Sequence, residues 1–150
     1  MLKYGAQVAV LGVVWLALAS VASAQYVYLC SNATIAGQYG FLDTGEREID
    51  GKIVPYDAVR TAQFSGEGKH EGKGYLSIGG KITRYTVRGT FTVAGDCTFM
   101  LEATQTFEDG SPPQSYKQFG VVVRGGKEIL EIQITGDKNV TGKYQKMIDY

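Results

Sequence analysis

The chain has 150 residues, and its 15 lysines and arginines are balanced by 15 aspartates and glutamates. A net charge of zero gives no electrostatic argument for nucleic acid or an anionic membrane surface as a partner. Twenty glycines, ten tyrosines and only three prolines describe short strands joined by tight turns.

The first segment reads as an export signal. Lys3 supplies a positive start, an apolar run from Val8 to Ala19 follows, and the segment closes on Ala22-Ser23-Ala24, small residues at the positions signal peptidase reads. Cleavage is expected after Ala24, leaving residues 25–150 as one domain with a single core. The alternative is an uncleaved anchor over residues 5–24, which spans a bilayer only when counted generously. The small-x-small ending and the missing charged stop favour cleavage, so the expected destination is secreted or periplasmic, with no membrane association afterwards. Lipid attachment is disfavoured, because Tyr28 and Leu29 precede Cys30 where small residues are needed. Losing Lys3 leaves 14 basic against 15 acidic residues in the exported part, and the argument about partners is unchanged. Cys30 and Cys97 both fall in that part, and an oxidising compartment favours one disulfide between them. His70 is the only histidine, which leaves a metal site short of ligands, and no cofactor is expected.

After the leader no window carries helical periodicity, and eight segments read as strands, near 36–43, 54–65, 72–79, 82–93, 97–107, 114–124, 127–135 and 139–147. Turn chemistry separates them at Asp43-Thr44-Gly45, Gly66-Glu67-Gly68, Gly79-Gly80, Ala94-Gly95-Asp96, 109–113, Gly125-Gly126 and 136–139. The charged, glycine-rich run 67–74, which includes His70, reads as a mobile hairpin loop.

Alternation assigns the faces. In the second segment Tyr56, Ala58, Ala62 and Phe64 point inward, and parity puts Arg60 with them. The fourth points Tyr85, Val87, Gly89, Phe91 and Val93 inward. The fifth does so with Cys97, Phe99, Leu101, Ala103 and Phe107, and by parity with Gln105. Hydrophobicity picks Phe119, Val121 and Val123 in the sixth, Leu130, Ile132 and Ile134 in the seventh, and Val140 and Tyr144 in the eighth. A meander of eight strands leaves two exposed edges unless it closes. The expected fold is therefore all-β, an eight-stranded antiparallel up-and-down barrel, with a two-sheet sandwich as the alternative.

Three stretches carry a resemblance: residues 30–41 (Cys-Ser-Asn-Ala-Thr-Ile-Ala-Gly-Gln-Tyr-Gly-Phe), 88–98 (Arg-Gly-Thr-Phe-Thr-Val-Ala-Gly-Asp-Cys-Thr), and 119–129 (Phe-Gly-Val-Val-Val-Arg-Gly-Gly-Lys-Glu-Ile). Together they resemble a family of small secreted bacterial proteins with an A-x-x-G-x-Y-x-F start and a G-T-Y-x-V-x-x-D-C-T-G centre, a family without an assigned function. The resemblance implies an architecture like the allene-oxide-cyclase-like and lipocalin-like barrels. Arg60 and Phe99 stand where that pattern has glycine, so neither pocket shape nor ligand is carried over.

Catalytic signatures are thin. The nucleophile elbow, the phosphate loop, the dinucleotide fingerprint and zinc-ligand spacings are all missing. Paired carboxylates could support glycoside hydrolysis, but Glu102 and Glu131 fall on outward faces and Asp43, Asp96, Asp109 and Asp137 in turns. The inward face is the richer part. Arg60 cannot shed its charge and needs a partner, such as a ligand head or, failing that, Glu128. Arg60 and Gln105 are the candidate polar end of a small-molecule site, lined by Tyr39, Phe41, Tyr85, Phe91 and Phe119.

The leading expectation is an exported, non-catalytic barrel holding a small, largely apolar molecule, and it requires a cavity with Arg60 or Gln105 at its polar end. A barrel-type cyclase or isomerase requires a buried carboxylate or a tyrosine hydroxyl beside Arg60. A surface interaction protein requires an exposed patch around Tyr26, Tyr28, Tyr144 and Tyr150.

Overall fold

A computed structural model describes residues 29–136 and 138–147. The expected leader (1–24) lies outside the described residues, as do Tyr26, Tyr28, Asp137 and Tyr150. Among the described residues no helix is long and apolar enough to cross a membrane.

Eight antiparallel strands follow one another in spatial order and close into a barrel, excluding the sandwich. They are β1 (Gly37–Ile49), β2 (Lys52–Phe64), β3 (Lys69–Ile78), β4 (Lys81–Val93), β5 (Thr98–Phe107), β6 (Gln114–Val123), β7 (Glu128–Gln133) and β8 (Lys138–Lys146). Closure is made by β1, which pairs with β2 on one side and β8 on the other, so no edge is left unpaired.

One end of the barrel is plugged. A 3-10 turn over Asn32–Ile35 caps it, with Ile35 fully buried and Asn32 Oδ1 accepting the Val93 N–H at 2.8 Å. The Cys30–Cys97 disulfide fastens this cap to the β4–β5 turn. Tyr39 OH donates to the Gly126 carbonyl, and Lys146 Nζ donates to the Ala36 carbonyl at 2.8 Å. Above the plug lies an aromatic core centred on Phe64, which meets Tyr39, Phe91 and Tyr144 edge-on at centroid separations of 5.3, 5.0 and 5.2 Å. The other end is open, ringed by the β1–β2, β3–β4 and β7–β8 turns and by the loop 108–113.

Three expectations are corrected. The first strand does not turn at Asp43-Thr44-Gly45. It runs to Ile49, because the turn is made by Asp50-Gly51, both at positive φ (50° and 74°), the conformation that matches the twist of a two-residue hairpin. Asp43 is thereby carried inside the barrel.

His70 is not in a mobile loop. The turn is confined to 66–68, β3 starts at Lys69, and His70 is paired with Phe64 and Gly89 and only 1% exposed.

The faces of β6 and β7 are the reverse of those expected. Gln118, Gly120 and Val122 point inward, as do Ile129, Glu131 and Gln133, while Phe119, Val121, Leu130, Ile132 and Ile134 are exposed. Residues directly opposite in a ladder share a face. Gln118 and Gly120 lie opposite the inward Leu101 and Phe99 of β5, and Gln133 and Glu131 lie opposite them in turn. Apolar residues occur on both faces of these strands, so hydrophobicity alone chose the wrong one.

Candidate functional site

The interior splits into an apolar lower half and a polar upper half. Arg60 stands at the boundary, 4% exposed. Its guanidinium lies 3.6 Å above the Phe41 ring and donates to the hydroxyls of Tyr144 at 2.5 Å and Tyr85 at 3.3 Å. The hydroxyl of Tyr144 donates to Gln118 Oε1 at 3.2 Å, and Gln118 Nε2 donates to Glu131 Oε1 at 2.7 Å. This chain of hydrogen bonds crosses the barrel from β2 to β7. Nearer the mouth, Lys138 Nζ donates to Gln105 Oε1 at 2.8 Å and Tyr56 OH at 3.4 Å.

Glycines make the room. A Cβ at Gly74 would lie 2.0 Å from the Val59 carbonyl and 2.6 Å from Arg60 Cα, and one at Gly72 would lie 3.2 Å from Arg60 Cδ. On the opposite wall a Cβ at Gly142 would lie 2.3 Å from Glu131 Oε1, and one at Gly120 would lie 3.0 Å from Glu131 Cβ. Arg60 is thus bedded against a glycine of β3, and Glu131 between glycines of β6 and β8.

Burial sets the protonation states. It pushes the Asp43 carboxyl up to about 6 against the pull of Arg60 and Lys138. Burial also holds Glu131 well above the usual carboxylate range, with the charge of Asp43 adding to it and Arg60 opposing. His70 is lowered to about 3 by burial, helped by Arg60. Several polar atoms in this region are buried without a protein partner: Asp43 Oδ1, Arg60 Nε, Glu131 Oε2, Tyr116 OH, Gln114 Oε1 and both ring nitrogens of His70.

The hollows lie at the mouth and on the outer wall. One half of the mouth is a space of about 450 Å³ with Leu76, Ile78 and Phe107 on its floor and Arg47 and Lys81 on its rim. The other, of about 330 Å³, is lined by Gln105, Tyr116, Gln133 and Lys138. Gln114 borders both. A space of about 520 Å³ lies outside the barrel between polar side chains of β2, β3 and β4, including Thr61, Glu71 and Arg88.

The candidate residues fall into three groups. Gln105 points inward, as parity predicts, and lines the mouth. Arg60, Tyr39, Phe41, Tyr85 and Phe91 point inward but are consumed by packing and by one another, and Arg60 lines none of these hollows. Phe119 is excluded, because it is on the outer wall. Glu128 is not the partner of Arg60, since it pairs with Arg124 at 3.4 Å. Tyr144 points inward, as its parity predicts, and is fully buried, so it contributes nothing to the exposed patch that a surface interaction protein requires.

Asp43, Tyr116, Gln118, Glu131, Gln133 and Lys138 were missed as site residues. The alternation Tyr39-Phe41-Asp43 marked the first of these, but turn chemistry at Asp43-Thr44-Gly45 outweighed it. Among the described residues no cluster of three His, Cys, Asp or Glu side chains could hold a metal ion. No family, curated protein or solved structure matches the chain.

Proposed function

We propose that the chain is an exported, non-catalytic barrel that holds one small amphipathic molecule in its open mouth. The observation that carries this reading is the divided hollow there, with an apolar floor of Leu76, Ile78 and Phe107 on one side and Gln105, Tyr116 and Lys138 on the other. Both spaces fall in the size range of small-ligand sites, which combine apolar walls with a few placed polar groups. Tyr116 OH and Gln114 Oε1 are buried there without a protein partner, and a ligand polar group would satisfy them. Arg60 lines neither hollow and so is not the head-group contact. The formed disulfide fits an oxidising compartment, and the leader supports secretion or periplasmic residence.

The test is native mass spectrometry of protein exported by its own host, repeated after denaturation. A stoichiometric adduct of a few hundred daltons, lost on denaturation, is the expected result. A bare mass in every preparation would count against the reading.

One observation favours a second reading, a barrel-type isomerase or cyclase. Two tyrosine hydroxyls sit beside Arg60, and burial raises two inward carboxyls, Asp43 and Glu131, above the usual carboxylate range, which suits such groups to proton transfer near neutral pH. Recovery of the adduct with a rearranged skeleton after incubation would favour this reading. Recovery unchanged would favour binding.

A further inference from the structure

The polar half of the mouth restricts the chemistry a ligand can bring to it. Apart from Lys138, the side chains that line it are amides and hydroxyls: Gln105, Gln114, Ser115, Tyr116 and Gln133. Lys138 is already engaged. Its Nζ donates to Gln105 Oε1 at 2.8 Å and to Tyr56 OH at 3.4 Å, and lies 4.5 Å from the centre of the Tyr56 ring. Gln133 is committed as well, its Nε2 donating to the Thr135 carbonyl at 2.7 Å. Two polar atoms in this lining remain buried without a protein partner, Gln114 Oε1 and Tyr116 OH. Tyr116 is 5% exposed, and burial holds its hydroxyl well above the ordinary tyrosine range, so it stays a protonated donor.

A charged head group is poorly matched to this lining. An anion would have to take Lys138 from the neutral acceptors that hold it. On the apolar side, Arg47 and Lys81 share the rim with Glu48, Asp50 and Asp109, and Asp109 pairs with Lys81 at 2.9 Å. That rim has no surplus of positive charge to draw an anion. An ammonium group would face Lys138 and, among the described residues, meet no carboxylate in the polar half. Burying an ion without a counter-charge costs far more than burying a neutral group that is hydrogen-bonded. Gln114 Oε1 takes a donor and Tyr116 OH offers one, so a single neutral group that donates and accepts satisfies both.

Taking the mouth as the ligand site, the reading on which this rests, we propose that the ligand's polar end is uncharged. It is an alcohol or a carboxamide seated on Gln114 and Tyr116, with the apolar body over Leu76, Ile78 and Phe107.

Chain-matched probes test this: 1-octanol, octanamide, octanoate and octylammonium, each titrated at neutral pH. The protein is the exported, oxidised chain, cleared of bound molecules by denaturation without reductant and refolding, with amide shifts followed by NMR. Octanol and octanamide are expected to shift Leu76, Phe107 and Gln114 and to bind about tenfold or more tightly than either ion. Tyr116→Phe is expected to weaken octanamide about threefold or more. Should that variant lose its native circular dichroism, Gln114→Leu makes the same comparison. Octanamide binding unchanged in the folded variant would overturn the proposal. Either ion binding in the mouth as tightly as the neutral probes would overturn it while leaving the mouth a ligand site. No shift at these residues with any probe would overturn both.

Discussion

His70 offers a clean test of how the interior was built, because its ring stacks 4.6 Å from Phe64 and is only 1% exposed. Burial, with Arg60 adding to it, lowers its pKa to about 3 from the ordinary 6.5. A base depressed in the folded state contributes full stability above 6.5, and that stability is lost as the pH falls below it, because the unfolded chain binds a proton that the folded chain refuses. Between pH 7 and pH 5 the unfolded state gains about 1.4 pH units of proton binding, so His70 alone costs about 2 kcal/mol over that interval. His70→Phe keeps a ring against Phe64 and abolishes the titration. Urea unfolding of both proteins, followed by circular dichroism at several pH values, isolates the residue from the other titrating groups. The stability difference between variant and wild type should grow by about 2 kcal/mol in favour of the variant from pH 7 to pH 5. A difference that stays flat across that range would refute a neutral, buried His70 and with it the assignment of this segment to β3.

Three further outcomes follow from the same interior. Glu131→Gln mimics the protonated acid that burial favours, so its urea midpoint should match wild type near pH 4 and exceed it near pH 8, because the unfolded wild-type carboxyl releases a proton that the folded one holds. Gly74→Ala drives a methyl into the Val59 carbonyl and the Arg60 backbone. Thermal unfolding should show a loss of more than about 3 kcal/mol, in the range of severe overpacking. Reducing Cys30–Cys97, which are 67 residues apart, should cost about 4 kcal/mol in the chain-entropy account, read as a lower melting temperature in dithiothreitol.

Much of this architecture is legible in the chain. The Gly79-Gly80 turn and the strict alternation of 82–93 fixed a hairpin, and the parity of Tyr56, Ala58, Ala62 and Phe64 carried Arg60 inside despite its charge. The failures share a physical origin. Strand parity is readable only where the inward face is the more apolar one, and in β6 and β7 the interior takes Gln118, Glu131 and Gln133 while the outer wall takes Phe119, Val121, Leu130 and Ile132. The outward Phe119 and Ile132 then competed with the inward Val122 and Ile129, while Glu131 and Gln133 looked like solvated positions. The missing information lay across the ladder. Leu101 opposite Gln118 sets that face, and a sequence shows partners along the chain but not across it. His70 and Asp43 were misread for a different reason, since glycines beside them were taken as turn signals. The structure uses Gly72 and Gly74 as clearance for Arg60 instead, and it uses Gly45 within β1.

The central claim is that the open mouth, and not the aromatic interior or the outer wall, holds a ligand. The most direct measurement is an amide correlation spectrum of the exported protein, recorded as isolated and again after denaturation, extraction and refolding. The account predicts shift changes concentrated at Leu76, Ile78, Gln105, Phe107, Gln114 and Lys138, with the plugged end around Ile35 and Tyr39 unmoved. Identical spectra, or changes confined to β6 and β7, would contradict it.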